Sequence, residues 1–358
     1  MFEMVSRWYK RRFSDPHAVS LVAILLFGFI TIYFFGNLIA PLLVAIVLAY
    51  LLEWPVSQLS RLGIPRTLSV ILVILGFTSL MMVAVFGLVP TIWQQVGNLI
   101  NDIPSMYSGL QKVIAELPQR YPELDNFQIV ESLVTNAKNQ VIVMGETVVK
   151  GSLASLVSIA TLAVYLILVP LLVFFLLKDK QEMIAMASGV LPRNRKLATK
   201  VWHEMNDQIS NYIRGKVMEI LIVGGVSYVT FAILDLRYSV LLAVAVGLSV
   251  LIPYIGAAAV TVPVAMVGLF QWGLTPQFYW LLIAYGIIQA LDGNVLVPVL
   301  FSEAVNLHPV AIIVAVLVFG GLWGFWGVFF AIPLATLVKA VWNALPSNDE
   351  DEVYSHPG

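Results

Sequence analysis

Cysteine is absent from all 358 residues, which excludes disulfides, thiolate zinc sites, Fe–S clusters and thiol nucleophiles. Charge is scarce as well. Only 11% of the residues are Asp, Glu, Lys or Arg, against about a quarter in a soluble globular domain. The 20 basic and 21 acidic residues leave a formal charge of −1, so the excess of clustered cations that nucleic-acid phosphates demand is missing. Histidine occurs at 17, 203, 308 and 356 only. His203-Glu204 opens a zinc-protease pattern, but the second histidine one turn later is replaced by Asp207. Gly215-Lys216 lacks the Gly-rich phosphate loop around it, and no Gly-x-Ser-x-Gly elbow occurs. The chain is therefore expected to be no enzyme and to need no metal or cofactor.

What the sequence has is apolar length, with 59% hydrophobic residues. A hydrocarbon core about 30 Å thick takes roughly 20 apolar residues per helix. By that measure spans fall near 19–35, 38–52, 67–90, 153–177, 217–235, 240–270, 279–300 and 309–340. The expected fold class is all-α: a polytopic helical membrane protein of about eight transmembrane helices, some broken by proline. Gly36 and Asn37 are expected to join the first two, short spans as a helical hairpin. The run from Val19 is too long for a signal-peptide core, so residues 1–18, with Arg7, Lys10, Arg11 and Arg12, read as a retained basic segment.

Lys and Arg in the connections set orientation. Eight spans put residues 1–18, Arg61, Arg66, the basic residues of 178–216 and Lys339 on the inner side, with both termini cytoplasmic. A turn at "LIPYIG" (251–256) would change that parity. The expected organisation is three helices within 19–90, an extracytoplasmic amphipathic segment at 91–150 and a span within 151–177. A cytoplasmic amphipathic segment follows at 178–216, then a bundle at 217–345 and an acidic, disordered tail at 346–358. In 91–150 the helical spacing of Leu110, Val113, Ile114 and Leu117 is broken by Pro104, Pro118 and Pro122. In 178–216, Val201, Met205, Ile209 and Ile213 form an apolar face expected to lie against the protein's own bundle.

Asp292 is the one acid deep inside an otherwise apolar span, with Gln289 one turn before it and Asn294 close by. A carboxylate at a helix centre costs at least about 2.5 kcal/mol in a bilayer, so an ion, proton or substrate role is the default reading and an interhelical hydrogen bond the alternative. Glu219, three residues after Lys216, reads as a pair snorkelling at the cytoplasmic edge. His308, before Pro309, reads as an interfacial or capping residue that would also suit a proton relay. "SVLIP" (249–253) and "NVLVP" (294–298) share a pattern ending in Pro253 and Pro298. Paired breaks of this kind line substrate paths in transporters, and Gly256 strengthens the first. Gly320, Gly324 and Gly327 share a helical face suited to close helix packing.

The ordered series "FFLLKDKQEM", "LPRNRK", "ISNYIRGKVMEILIVGG", "LSVLIPYIGAAAVTVP" and "DGNVLVPVLFSEAVNLHPVAIIVAVLVFGGLWGFWGVFFAIPLATLVK" resembles the autoinducer-2 exporter (AI-2E) family, the whole being similar to its PerM-type permeases. The matching positions are Tyr212, Arg214 and Gly215; Pro253 and Gly256; Asp292, Asn294 and Pro298; His308 and Pro309; and Gly321, Gly324, Gly327 and Pro333. The resemblance implies a bacterial inner-membrane permease of about eight spans, a homo-oligomer in the lipid bilayer. Family members are assigned to autoinducer-2 export or sodium/proton antiport. The expected function is thus secondary transport of a small polar solute or ion, with proton or sodium coupling. An oligomeric channel and a non-transporting scaffold are the alternatives.

Overall fold

The computed structural model describes residues 16–120, 155–189, 196–301 and 307–344. Among them every regular element is helical. In chain order these are α1 (Pro16–Arg61), α2 (Arg66–Arg120), α3 (Ser155–Lys178), α4 (Lys180–Gly189), α5 (Lys196–Ile233), α6 (Ser239–Ser249), α7 (Ile255–Trp272) and α8 (Pro276–Leu291). A π-helical segment (Asp292–Leu296) leads into α9 (Val297–Phe301), followed by α10 (Pro309–Phe329) and α11 (Ala331–Ala344). Six stretches are long and apolar enough to cross a membrane: Leu38–Arg61, Arg66–Met106, Met205–Ile233, Ile255–Trp272, Pro276–Phe301 and Pro309–Phe329. Residues 1–15 of the expected basic N-terminus, the acidic tail and all of 121–154 lie outside the described residues.

Several expected boundaries are corrected. Gly36 and Asn37 do not turn the chain, because α1 runs through them as one 46-residue helix. Each weak helix former costs at most about 1 kcal/mol in a helix interior, which the long flanking helix absorbs. Pro104 likewise leaves α2 unbroken across its 55 residues, since a lone proline forfeits one hydrogen bond and bends a helix more often than it ends one. Segment 196–216 and the span after it form a single helix, α5.

The chain divides into two compact units. The first comprises 1–74, 168–216 and 299–358, the second 75–167 and 217–298. In lipid, apolar burial gains little because the solvent is itself apolar, so helices are held by close approach and polar contacts. The second unit shows the first of these. Gly224 of α5 meets Gly247 of α6 backbone to backbone, where a Cβ on Gly247 would stand 2.9 Å from the Ile220 carbonyl oxygen. Around that contact Val223, Phe231, Val246, Val264, Leu281 and Tyr285 form one core.

The first unit shows the second. Arg66 donates to the Leu177 carbonyl at the end of α3 (2.7 Å) and pairs with Glu53 of α1 at 3.2 Å, while Lys180 reaches the same carboxylate at 3.5 Å. Along α5 of this unit, Met205 and Ile209 pack with Ala340 and Leu337 of α11, as the amphipathic pattern led one to expect.

Two expected spans are hairpins. The 240–270 stretch is divided at 250–254 into α6 and α7. Gln271, at the end of α7, bonds to the loop that precedes α6 through Asp235 and Arg237. The hairpin therefore starts and ends at one end of its unit. With 11 residues, α6 is about 16 Å long at 1.5 Å per residue, roughly half of a bilayer core. The 309–340 stretch doubles back in the same way. α10 breaks at Gly324 (φ 56°, ψ −131°), and Ala315, Val316 and Ala331 close the core between its limbs. Neither stretch makes the single crossing counted in the eight-span reading, but two such changes together leave the parity even; it is the joining of the first two expected spans in α1 that alters the count by one.

Candidate functional site

The α6–α7 turn is built by residues that forbid a continuous helix. Pro253 cannot donate to a helical carbonyl, and Tyr254 takes a left-handed conformation (φ 62°). The Leu251 N–H donates to Leu248 O (3.2 Å), Ile252 to Ser249 O (3.0 Å) and Gly256 to Ile252 O (2.9 Å). Gly256 is obligatory for packing: a Cβ there would collide with the Ser249 carbonyl.

Opposite this turn in the second unit runs the helix that carries Asp292. Gly268 of α7 receives the Leu281 side chain, and Thr261 Oγ1 donates to the Tyr285 hydroxyl at 3.3 Å. These contacts fix an antiparallel register. Continuing it by one and two turns brings Gln289 level with Ala257 and Asp292 level with Pro253 and Tyr254. That register sets Gln289 and Asp292 at the end of α8 that runs towards the start of α7.

The helix is not regular there. Asp292–Leu296 is π-helical, and the Val297 N–H bonds back to Asp292 O. Pro298 accounts for this: it has no N–H, and its ring crowds the carbonyl four residues before it, at Asn294. With Val297 committed to Asp292 and Pro298 unable to donate, the Gly293 carbonyl loses its helical donor. Asn294 Nδ2 donates to Ala290 O at 2.8 Å, which satisfies a second carbonyl on this turn. Gln289 Nε2 is buried without a hydrogen-bond partner among the described residues. Asp292 and Gln289, one turn apart on one face, form a polar pair able to bind a proton, a small cation or a polar solute. π-Bulges of this kind recur at functional sites.

The two proline motifs are therefore not a matched pair. "SVLIP" turns a hairpin, whereas "NVLVP" widens a helix that continues. The counterpart of the α6–α7 turn is the α10 break, where a Cβ on Gly327 would collide with the Phe319 carbonyl and one on Gly320 would lie 2.8 Å from Val328 Cγ2. The expected face of Gly320, Gly324 and Gly327 serves a fold of the chain on itself. His308, in the first unit, caps α10: its Nδ1 accepts from the Val310 N–H at 3.3 Å.

Around Tyr212, Arg214 and Gly215 the first unit is tight. The Tyr212 hydroxyl donates to Phe329 O at 2.9 Å. A Cβ on Gly215 would stand 2.7 Å from the Phe301 ring, and the Lys216 ammonium lies 5.3 Å from that ring's centre. Lys216 is 4% exposed and Glu219 2%, so the expected snorkelling pair is corrected to two buried charges. For Lys216 the sequence signal was available in Gly215, which permits the close approach of Phe301. Among the described residues no three His, Cys, Asp or Glu side chains are grouped to hold a metal.

Comparison with known proteins adds an independent line. The family model described as AI-2E family transporter matches residues 22–347. PerM of Escherichia coli (strain K12), named as a permease, is 56% identical over 346 residues, covering 97% of this chain and 98% of its own length. YueF and YrrI of Bacillus subtilis (strain 168), named as transport proteins, are 28% and 25% identical. YueF covers 86% of this chain and 84% of itself, and YrrI 84% of each.

Proposed function

The chain belongs to the AI-2E transporter family, and from that premise we propose that it is a secondary transporter of a small polar solute or ion, coupled to protons or sodium. A multi-pass membrane protein with a transport role is the coarser statement that family membership carries. The bacterial inner membrane, export as the direction, and a homo-oligomer belong to the proposal.

The observation that supports it most is the π-helical segment at Asp292, in a stretch whose preceding helix packs antiparallel to α7, the limb that follows the hairpin turn. A carboxylate and a donor-less carbonyl at membrane depth are tolerated where they line a polar cavity. Protonation of Asp292, or cation binding to it, would change the charge that faces the turn, and a hairpin anchored at one end is the element able to respond. Gln289 and Asn294 supply neutral donors and acceptors for a polar solute.

The test is a flux screen of polar metabolites and monovalent cations in proteoliposomes of purified protein. For a transported substrate, Asp292→Asn should abolish the pH dependence of flux while helix content and elution volume stay unchanged. Unaltered pH-dependent flux would remove Asp292 from the mechanism, and conductance without saturation or gradient coupling would favour a channel.

A further inference from the structure

Helix α6 is suspended between two strained residues. Tyr238, its N-cap, has φ 58°, and Tyr254, beyond its C-terminal end, has φ 62°. Left-handed conformations cost a bulky side chain free energy and persist only where the surroundings over-determine them. At the Tyr238 end the surroundings are explicit. The Tyr238 hydroxyl donates to Asp102 Oδ2 at 2.5 Å, and Arg237 Nη1 lies 3.7 Å from the same oxygen. Gln95, two turns earlier on α2, accepts from the Leu241 N–H at 2.8 Å. That bond satisfies one of the first-turn donors which a helix cannot satisfy itself, and Tyr238 offers no side-chain cap of its own. From the other side, Gln271 accepts from the Arg237 N–H (2.7 Å) and donates to Asp235 O (2.6 Å). Asp235 is also left-handed, at φ 54°.

The loop before α6 is thus held in a strained shape by α2 on one side and the end of α7 on the other. At the far end the turn rests on its own backbone bonds and on Val250 and Leu251, both buried, while Tyr254 is 57% exposed. Between them α6 carries no charged or titratable side chain along "SVLLAVAVGLS"; its buried face, Leu242, Ala243, Val246 and Gly247, packs in the core, so its position is set by that packing together with the bonds at its start.

We propose that Gln95, Asp102, Tyr238 and Gln271 are positioning residues that lock α6, and with it the 250–254 turn, in the arrangement seen here. Releasing the Asp102–Tyr238 bond lets Tyr238 leave the left-handed region and α6 pivot. Because α2 continues past Asp102 to Arg120, a displacement of that end of α2 is transmitted to the turn through these bonds. The functional importance of the turn rests on the transport reading; the mechanical claim does not.

The absence of cysteine makes the test direct. Spin labels on cysteines replacing Leu248 of α6 and Val89 of α2, both exposed, report the distance between the two helices by double electron–electron resonance in lipid nanodiscs. The unmutated clamp should give one narrow distance distribution. Tyr238→Phe and Asp102→Ala should each add a second, displaced population, and Asp102→Asn, which keeps an acceptor oxygen, should restore the single one. Distributions identical to the unmutated clamp in Tyr238→Phe and Asp102→Ala, with or without a lower melting temperature, would overturn the proposal. If Tyr238→Phe does not fold, the contrast between Asp102→Ala and Asp102→Asn decides alone. No transported substrate is needed, so a failed flux screen and a failed clamp are separate results.

Discussion

Gly256→Ala tests the hairpin turn directly. Its helical neighbours would favour alanine, which is worth up to about 1 kcal/mol over glycine in a helix interior. Against that stands the Ser249 carbonyl, which occupies the place of the new Cβ. The obstacle is backbone, which cannot rotate aside as a side-chain tip would, so the overpacking cost belongs near the top of its usual range, about 3 kcal/mol. Opening the turn to relieve it would strain the Ile252-to-Ser249 and Gly256-to-Ile252 bonds, each worth about 1 kcal/mol. The two costs are alternatives, so the net is a destabilisation of about 2 kcal/mol, or about thirtyfold in the equilibrium of the hairpin. Gly225→Ala and Gly286→Ala are the controls, since nothing lies within 4 Å of either added methyl; both should match or exceed the unsubstituted protein. Unfolding in mixed micelles, followed by circular dichroism against the mole fraction of denaturing detergent, gives the comparison. A midpoint for Gly256→Ala equal to those of the controls would refute the turn geometry.

Other outcomes follow from the same physics. Pro298→Ala returns an N–H donor and should convert the π segment to α-helix, raising thermal stability while lowering substrate flux; a gain in both would separate the π segment from function. Gly324→Ala places a side chain at φ 56°, ψ −131°, a region almost confined to glycine, at a cost of about 1–3 kcal/mol read as a lowered melting temperature. Burial, and then the bond to Asp102, push the Tyr238 hydroxyl up to about 12. The raised value means the folded state holds this proton more tightly. The contribution is therefore complete below pH about 10, the ordinary tyrosine value, and is lost as pH rises towards about 12. An alkaline stability titration of Tyr238→Phe should show a shallower fall across that window than the unsubstituted protein.

Helical class and membrane character were legible because they depend on composition summed over long windows, which local detail cannot undo. Crossing number was less so. A run such as 240–270 has the length and apolarity of one span, and only the conjunction of Pro253, a left-handed Tyr254 and a methyl-free Gly256 turns it into two short limbs. In 309–340 the division is made without a proline, by Gly324 at positive φ and by Gly327 against the Phe319 carbonyl. Conversely, Gly36-Asn37 looks like a turn and is not one: a methyl on Gly36 would meet nothing within 4 Å, and the helix continues through Pro41 as well. Hydropathy windows average over these single-residue decisions.

Asp292, Gln289 and Asn294 stood out in the sequence because a carboxylate in lipid is costly wherever it stands, and so draws attention by itself. The polar atoms of the clamp carry no such mark: Gln95, Asp102 and Gln271 are unremarkable side chains near helix ends, and only folding shows that they converge on one loop. Lys216 and Glu219 fall between these cases. Their charges were visible, but whether a pair at the edge of a span reaches water or is enclosed depends on what packs over it. Here Gly215 admits Phe301 against the helix, and the ammonium lies over its ring. A buried charge of this kind is strongly destabilising when its surroundings are broken, so a larger side chain at 215 acts on Lys216 by displacing Phe301. Gly215→Ala should therefore cost more than Phe301→Leu, which leaves the glycine contact open and keeps an apolar cover. A larger loss of melting temperature for Phe301→Leu would show that the aromatic face, and not the close approach, holds the lysine in place.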